Sequence, residues 1–202
     1  MSQPTSPSIR PADPSDAPNL AQLINIAGEG IPHWLWGQSC KDSQDPFEFG
    51  AQRARRTEGG FSFRNALIAD RDGHRVGMVL SYPIETAPDD DPNDLPASIA
   101  PFVELEAQSV GTWYINALAV FDGNRSSGIG SALMRASEDL ATQAGYGLMS
   151  VQVYSQNIGA LQLYERLGYQ ERARAAVRER PCPPYYDEEV VLLVKQLAGQ
   201  QA

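Results

Sequence analysis

Residues 125–130 read RSSGIG, at the junction between an apolar run (TWYINALAV, 112–120) and a helical pattern (GIGSALMRASEDLATQAG, 128–145). A helix start carries backbone N–H groups without intrahelical acceptors, and the aligned peptide dipoles add partial positive charge there. Such a start suits phosphate oxygens. Gly128 and Gly130 keep side chains away from the N–H groups that run through Ile129 to Ser131. Arg125 adds a fixed cation at the entrance, and the hydroxyls of Ser126 and Ser127 can donate. The pattern predicts a pyrophosphate cradle; its plain alternative is a strand-to-helix turn in which glycine permits close packing. A Walker loop needs Lys-Ser or Lys-Thr after the last glycine, where this chain has SALM. A dinucleotide fingerprint needs a third small residue where Leu133 stands and an acidic residue where VYSQN follows the next strand.

Other side chains have chemistry to offer. On the predicted helix IGALQLYERLG, Ala160, Leu163, Tyr164 and Leu167 share one face, so Tyr164 is either a core tyrosine or a phenol able to act as general acid. Asn157 is either the cap of that helix or a cofactor contact. Glu104 and Glu106, just before the fourth strand, are candidates for a general base, against the alternative of a solvated acidic face. His74 lies in a predicted turn and reads as a surface histidine. His33 and Trp34, with Trp36 beside them, and Tyr185 with Tyr186, are aromatic groups expected either to border an acceptor pocket or to cap packing. Tyr114 and Asn116 in the fourth strand are candidate substrate contacts as well.

The elements that must position these groups follow from period and punctuation. A short strand around Ile9 precedes a helix with Asp16 or Ser15 near its cap and Leu20, Leu23, Ile24 and Ala27 on one face. IPHWLWGQSC reads as a loop, and DPFEFGAQRARRTEGG as a basic helix stopped by Gly59 and Gly60. Two apolar runs joined by Asp72-Gly73 predict a hairpin. Residues 85–98 form an acidic, proline-rich excursion. Strand four, the helix after RSSGIG and strand five (GLMSVQVYSQN) make a βαβ unit, with Ile129, Ala132, Leu133, Ala136 and Leu140 facing the sheet. YQERARAAV and EEVVLLVKQL are the last two strands. The fold class is α+β, a mixed, largely antiparallel sheet flanked by helices around a central βαβ unit.

With 202 residues, one domain over 9–197 is expected, with a disordered tail at 1–8 and a short tail at 198–202. Apolar residues at 42% and charged residues at 20% are globular proportions. No stretch has the length of a membrane span and the start has no export signal, so a cytoplasmic protein with no membrane partner is expected. Cys40 and Cys182 suggest neither disulfides nor a metal site, and no metal is expected. A net charge of −9 argues against nucleic acid and favours a cationic small molecule.

RSSGIG matches at each specified position the Q/R-x-x-G-x-G/A motif of the GNAT superfamily of acyl-CoA N-acyltransferases, and NIGALQLYERLGY resembles that family's N-x-x-A-x-x-x-Y-x-x-x-G-F/Y signature. The likeness covers residues 113–169; Asp122 stands where the family often has proline and Ser126 where it often has glycine. The resemblance implies acetyl-CoA as acyl donor, its pantetheine along Leu118, Ala119 and Val120, its pyrophosphate on residues 125–131, and Tyr164 near its sulfur. It implies acetyl transfer to a primary amine by direct attack in a ternary complex, on a small-molecule or peptide acceptor, by a monomer or homodimer. The alternative is a domain that holds acyl-CoA as a sensor or scaffold without turnover.

Overall fold

Alternating apolar residues and two-residue turns set most of the strands in the computed structural model, which describes residues 6–41, 44–88 and 91–197. In chain order the elements are β1 (Ser8–Pro11), α1 (Ala17–Ala27), α2 (Ile31–Ser39), α3 (Pro46–Ala54), β2 (Ala66–Arg71), β3 (His74–Pro83), α4 (Ala100–Glu106), β4 (Trp113–Val120), α5 (Ile129–Gln143), β5 (Leu148–Tyr154), α6 (Ile158–Arg166), β6 (Gln170–Ala176) and β7 (Glu189–Gln196). Seven strands form one sheet in the order β1-β2-β3-β4-β5-β7-β6. The pairs β1–β2, β2–β3, β5–β7 and β6–β7 are antiparallel and β4–β5 is parallel. This is the mixed α+β sheet with a central βαβ unit that the sequence predicts. Of the expected tails, residues 1–5 and 198–202 lie outside the described residues, and Ser8 already begins β1. Among the described residues no helix is long and apolar enough to cross a membrane.

The chain divides into two compact units, of which the first spans Met1–Ser81 and Ala117–Ser137. Asp72 and Gly73 join β2 to β3 with φ of 51° and 77°, the left-handed pair whose twist matches a hairpin. Asp16 stands at the N-cap position of α1, as expected, but its side chain makes no capping hydrogen bond to that helix. Asp13 caps the single turn before it, accepting from the Ser15 N–H at 2.7 Å, while the buried Asp16 accepts from the Asp13 N–H at 2.9 Å, from Arg10 Nη1 at 2.7 Å and Nη2 at 2.9 Å, and from Arg75 Nε at 2.9 Å. The IPHWLWGQSC segment is not a loop but helix α2. Pro32 sits in its first turn, where a missing N–H costs nothing, and burial of Ile31 and Trp36 outweighs the weak propensity of Gly37. Trp36 meets Phe47 of α3 edge-on at 6.4 Å. Helix α3 ends at Ala54 rather than at Gly59, and the Ser62 hydroxyl donates to the Arg56 carbonyl just beyond it at 2.6 Å.

The second unit spans Tyr82–Asn116 and Glu138–Ala202. Strand β5 pairs with β7 along its whole length, from Leu148↔Gln196 to Tyr154↔Val190. The sequence reading gave no helix to the segment holding Glu104 and Glu106, which is α4 with Pro101 in its first turn. Leu105 of α4 enters a core with Tyr154, Ala175, Val190 and Leu192, against which Phe102 and Tyr186 pack. Along α5 the fully buried stripe is Ile129, Leu133, Met134, Ser137 and Ala141, whereas Ala132, Ala136 and Leu140 are half-buried, so the inward face is turned slightly from the expected one.

Candidate active site

In the first unit β4 ends at Val120, and a single turn over Asp122–Asn124 leads into Arg125. The chain then reverses through two left-handed residues, Ser126 at φ 58° and Gly128 at φ 82°. The left-handed region strains a residue with a Cβ, which explains why a glycine would be at ease at position 126. Helix α5 starts at Ile129, and its Ala132 N–H reaches the Gly128 carbonyl at 3.0 Å. The N–H groups of Ile129, Gly130 and Ser131 precede that bond and have no carbonyl one turn back to take them. A Cβ built on Gly128 meets nothing within 4 Å, so the space over the loop is open. Open space beside first-turn N–H groups fits a pyrophosphate.

Two expected donors are engaged inside the loop. The Ser127 hydroxyl donates to the Asn124 carbonyl at 2.6 Å, so it braces the turn rather than offering its proton outward. Arg125 donates from Nε to the Val120 carbonyl at 3.1 Å, and its Nη2 lies 3.0 Å from Asp122. A residue the sequence reading missed stands behind Leu118, Ala119 and Val120. A Cβ on Gly77 of β3 would lie 2.9 Å from the Ala119 carbonyl oxygen, so only glycine lets β3 approach there. A lone glycine inside an apolar strand is the signal that could have found it. His33 and Trp34 lie on helix α2, half-buried. The His33 ring stacks at a tilt on Phe47 at 4.7 Å, and its backbone N–H donates to Asn25 at 2.9 Å.

The second unit gathers a different set. Tyr114 is buried, and its ring meets Tyr82 edge-on at 5.9 Å. The Asn116 amide donates to the Tyr82 hydroxyl at 3.1 Å. Burial pushes the Tyr114 phenol up, with further contributions from Tyr82, Glu106 and Tyr164, so these four groups are electrostatic neighbours. Burial likewise raises the Tyr82 phenol, with Glu106 adding to the shift. Tyr164 is buried, its ring 6.0 Å from Tyr169, and desolvation raises its phenol. A phenol so placed holds its proton at neutral pH. The structure separates the two glutamates. Glu106 is half-buried and desolvation raises its carboxyl, while Glu104 is exposed and paired with Arg178 at 3.3 Å. Sequence reading did not include Tyr82, because nothing in a strand end beside a proline-rich excursion marks it.

Asn157 caps α6, its side-chain oxygen accepting from the Ala160 N–H at 3.2 Å. In the loop between β6 and β7 the two tyrosines part. Tyr185 is 70% exposed, whereas Tyr186 turns inward onto Tyr154 at 5.0 Å. The buried Arg180 guanidinium lies 4.7 Å from the Tyr154 ring centroid and 5.2 Å from that of Tyr186, and donates to the Tyr154 hydroxyl at 2.8 Å. That arrangement ties the loop to β5. Cys40 and Cys182 are free thiols, and among the described residues no cluster of three or more His, Cys, Asp or Glu side chains could hold a metal ion.

A family model described as acetyltransferase (GNAT) family matches residues 29–169. Over 163 residues the chain is 27% identical to the uncharacterized N-acetyltransferase YhfO of Bacillus subtilis (strain 168), covering 81% of this chain and 89% of that protein. The fold resembles that of Drosophila melanogaster polyamine N-acetyltransferase, an enzyme that catalyses the formation of N-acetylagmatine, with a TM-score of 0.65 at 21% identity over 95% of this chain and all (100%) of that one. It also resembles yncA of Salmonella typhimurium, solved with its cofactor acetyl-CoA, with a TM-score of 0.63 at 17% identity over 98% of each chain.

Proposed function

Because the chain belongs to the acetyltransferase (GNAT) family of acyl-CoA-dependent N-acetyltransferases, we propose that it moves an acetyl group from acetyl-CoA to a primary amine by direct attack within a ternary complex. Acetyl-CoA, when bound, supplies the acyl group as an activated thioester. Two sets of residues support the reading, each within its own unit. In the first, the N–H groups at the start of α5 and the Arg125 guanidinium hold the pyrophosphate, and the backbone of Leu118, Ala119 and Val120 takes the pantetheine amides.

In the second, Glu106 removes a proton from the acceptor ammonium, which frees the lone pair for attack on the carbonyl carbon. As the carbon–sulfur bond breaks, Tyr164 donates its proton to the leaving thiolate; the nitrogen sheds its second proton as the amide forms, which restores the phenol, and the net proton of the reaction leaves from Glu106 to solvent. Tyr114, Tyr82 and Asn116 line the acceptor, and an ammonium beside Glu106 and two aromatic rings is well matched in charge. The single observation carrying this assignment is the cluster in which the Asn116 amide donates to the Tyr82 hydroxyl at 3.1 Å and the Tyr82 and Tyr114 rings meet at 5.9 Å, in the same unit as the half-buried Glu106. Glu104 balances Arg178 and takes no part.

With 25 acidic against 16 basic residues, the chain attracts cationic acceptors over long range. The test is a library of amines with release of free CoA thiol as the readout. Thiol release that depends on an added amine, strongest for cationic amines and weakened by salt, is the expected outcome. Tight acetyl-CoA binding with no amine-dependent release would make the chain an acyl-CoA sensor instead.

A further inference from the structure

The hairpin that ends β2 carries a cation at the edge of the phosphate loop. Arg71, the last residue of β2, sits half-buried opposite His74. Among the described residues its guanidinium makes one polar contact, from Nη1 to the Asn124 side-chain oxygen at 3.5 Å, the outer limit of a hydrogen bond. Its Nε is buried with no acceptor. Asn124 closes the turn that hands the chain to Arg125, so Arg71 flanks the cradle from outside the RSSGIG motif. The other arginines near this hairpin are committed elsewhere. Arg10 and Arg75 both hold Asp16, and Arg10 also pairs with Asp70 at 2.9 Å. Arg125 itself is drawn to Asp122. A partly desolvated guanidinium with an idle N–H, beside a loop whose own arginine is shared with the Asp122 carboxylate, is arranged for an oxyanion.

We propose that Arg71 is a phosphate-binding residue for CoA, adding a subsite from the β2–β3 hairpin to the cradle at the start of α5. The proposal rests on the reading of this chain as an acetyl-CoA-dependent enzyme. Two phosphates of CoA offer the same chemistry, the pyrophosphate and the 3′-phosphate of the ribose, and the experiment separates them.

Calorimetric titration of CoA and of 3′-dephospho-CoA into the wild-type chain, Arg71→Gln and Arg71→Lys supplies a readout that needs no turnover. Arg71→Gln is expected to weaken CoA binding by about tenfold or more, as loss of a charge-assisted hydrogen bond does, and to lessen the weakening by salt. Arg71→Lys should recover part of the loss, and its recovery keeps the test decisive if the glutamine variant fails to fold. A loss seen with CoA and absent with 3′-dephospho-CoA places the 3′-phosphate at Arg71; an equal loss with both places the pyrophosphate there. Wild-type affinity in both variants overturns the proposal while leaving the functional reading intact. Failure of the wild-type chain to bind CoA overturns both.

Discussion

Asp122 and Arg125 form an ion pair at 3.0 Å across the turn that opens the phosphate loop. Both side chains are exposed, so the pair adds little to folding stability. Its consequence is for the ligand: a carboxylate competes with phosphate for the one arginine the motif provides, at a position where the family often has proline. We predict that Asp122→Asn tightens CoA binding by a factor of about two to ten, the range expected from removing one unit charge near a solvated dianion. Calorimetry at low and high salt checks it, and the gain should shrink as salt rises. An unchanged affinity at low salt would mean that Arg125 turns to the phosphate regardless of Asp122.

Glu106 and Glu104 lie in the same short helix, yet Glu106 is half-buried and Glu104 is exposed. Desolvation raises the Glu106 carboxyl above the ordinary carboxylate range, so the base form is present only above that raised value. The acidic limb of the kcat/KM profile should therefore rise through a pKa above the usual glutamate value. Glu106→Gln is expected to remove that limb and lower kcat by about 10²-fold or more. Glu104→Gln, which deletes only an exposed ion pair with Arg178, should stay within about threefold of wild type. A full-size limb surviving in Glu106→Gln would move the base elsewhere, to a water chain or another group.

Asp16 governs acid stability rather than catalysis. Hydrogen bonds from Arg10, together with those from the Asp13 backbone and Arg75, hold its carboxyl well below the usual carboxylate range although burial opposes this. A depressed folded-state pKa contributes stability that is fully present above the unfolded value of about 3.9 and is lost as pH falls toward the folded value. Asp16→Asn is predicted to lower stability by about 3 kcal/mol at neutral pH, since it leaves two guanidinium groups facing an amide. Denaturant titrations from pH 7 to pH 2 should show the gap between wild type and variant narrowing below about pH 4. A constant gap across that range would show that the loss is steric.

Legibility in the sequence divided along physical lines. RSSGIG and NIGALQLYERLGY are local patterns, and their local geometry was legible: Gly128 takes a left-handed conformation before α5, and Asn157 caps α6. Asp72-Gly73 fixed its hairpin for the same reason. Helix α2 was unreadable because Pro32 and Gly37 punctuate it while the force that holds it, burial of Ile31 and Trp36, is tertiary. The position of Asp16 at the start of α1 was legible, but its ion pair with Arg75 was not, because Arg75 lies in a distant strand. Tyr82, Arg71 and Gly77 escaped notice for a like reason. Each owes its role to a neighbour far along the chain, Asn116, Asn124 and the Ala119 carbonyl.

Tyr164 carries the most exposed part of the mechanism, because its burial suits a plain core residue and a proton donor equally well. Tyr164→Phe separates these roles. The ring and its packing on Tyr169 at 6.0 Å persist, and only the hydroxyl is lost. Because that packing is kept, the thermal midpoint should stay close to wild type. If the phenol protonates the departing thiolate, kcat falls by roughly 10²–10⁴-fold while acetyl-CoA affinity is retained. Steady-state turnover understates the effect where product release is slow, so single-turnover release of CoA is the measurement to make. Fluorotyrosine at position 164 adds a graded arm. Lowering the phenol pKa while keeping the O–H should change the chemical step progressively, and should shift the basic limb of its pH profile downward, because the group must be protonated to act. A wild-type single-turnover rate in Tyr164→Phe returns the residue to the core, and proton delivery to the sulfur then belongs to water.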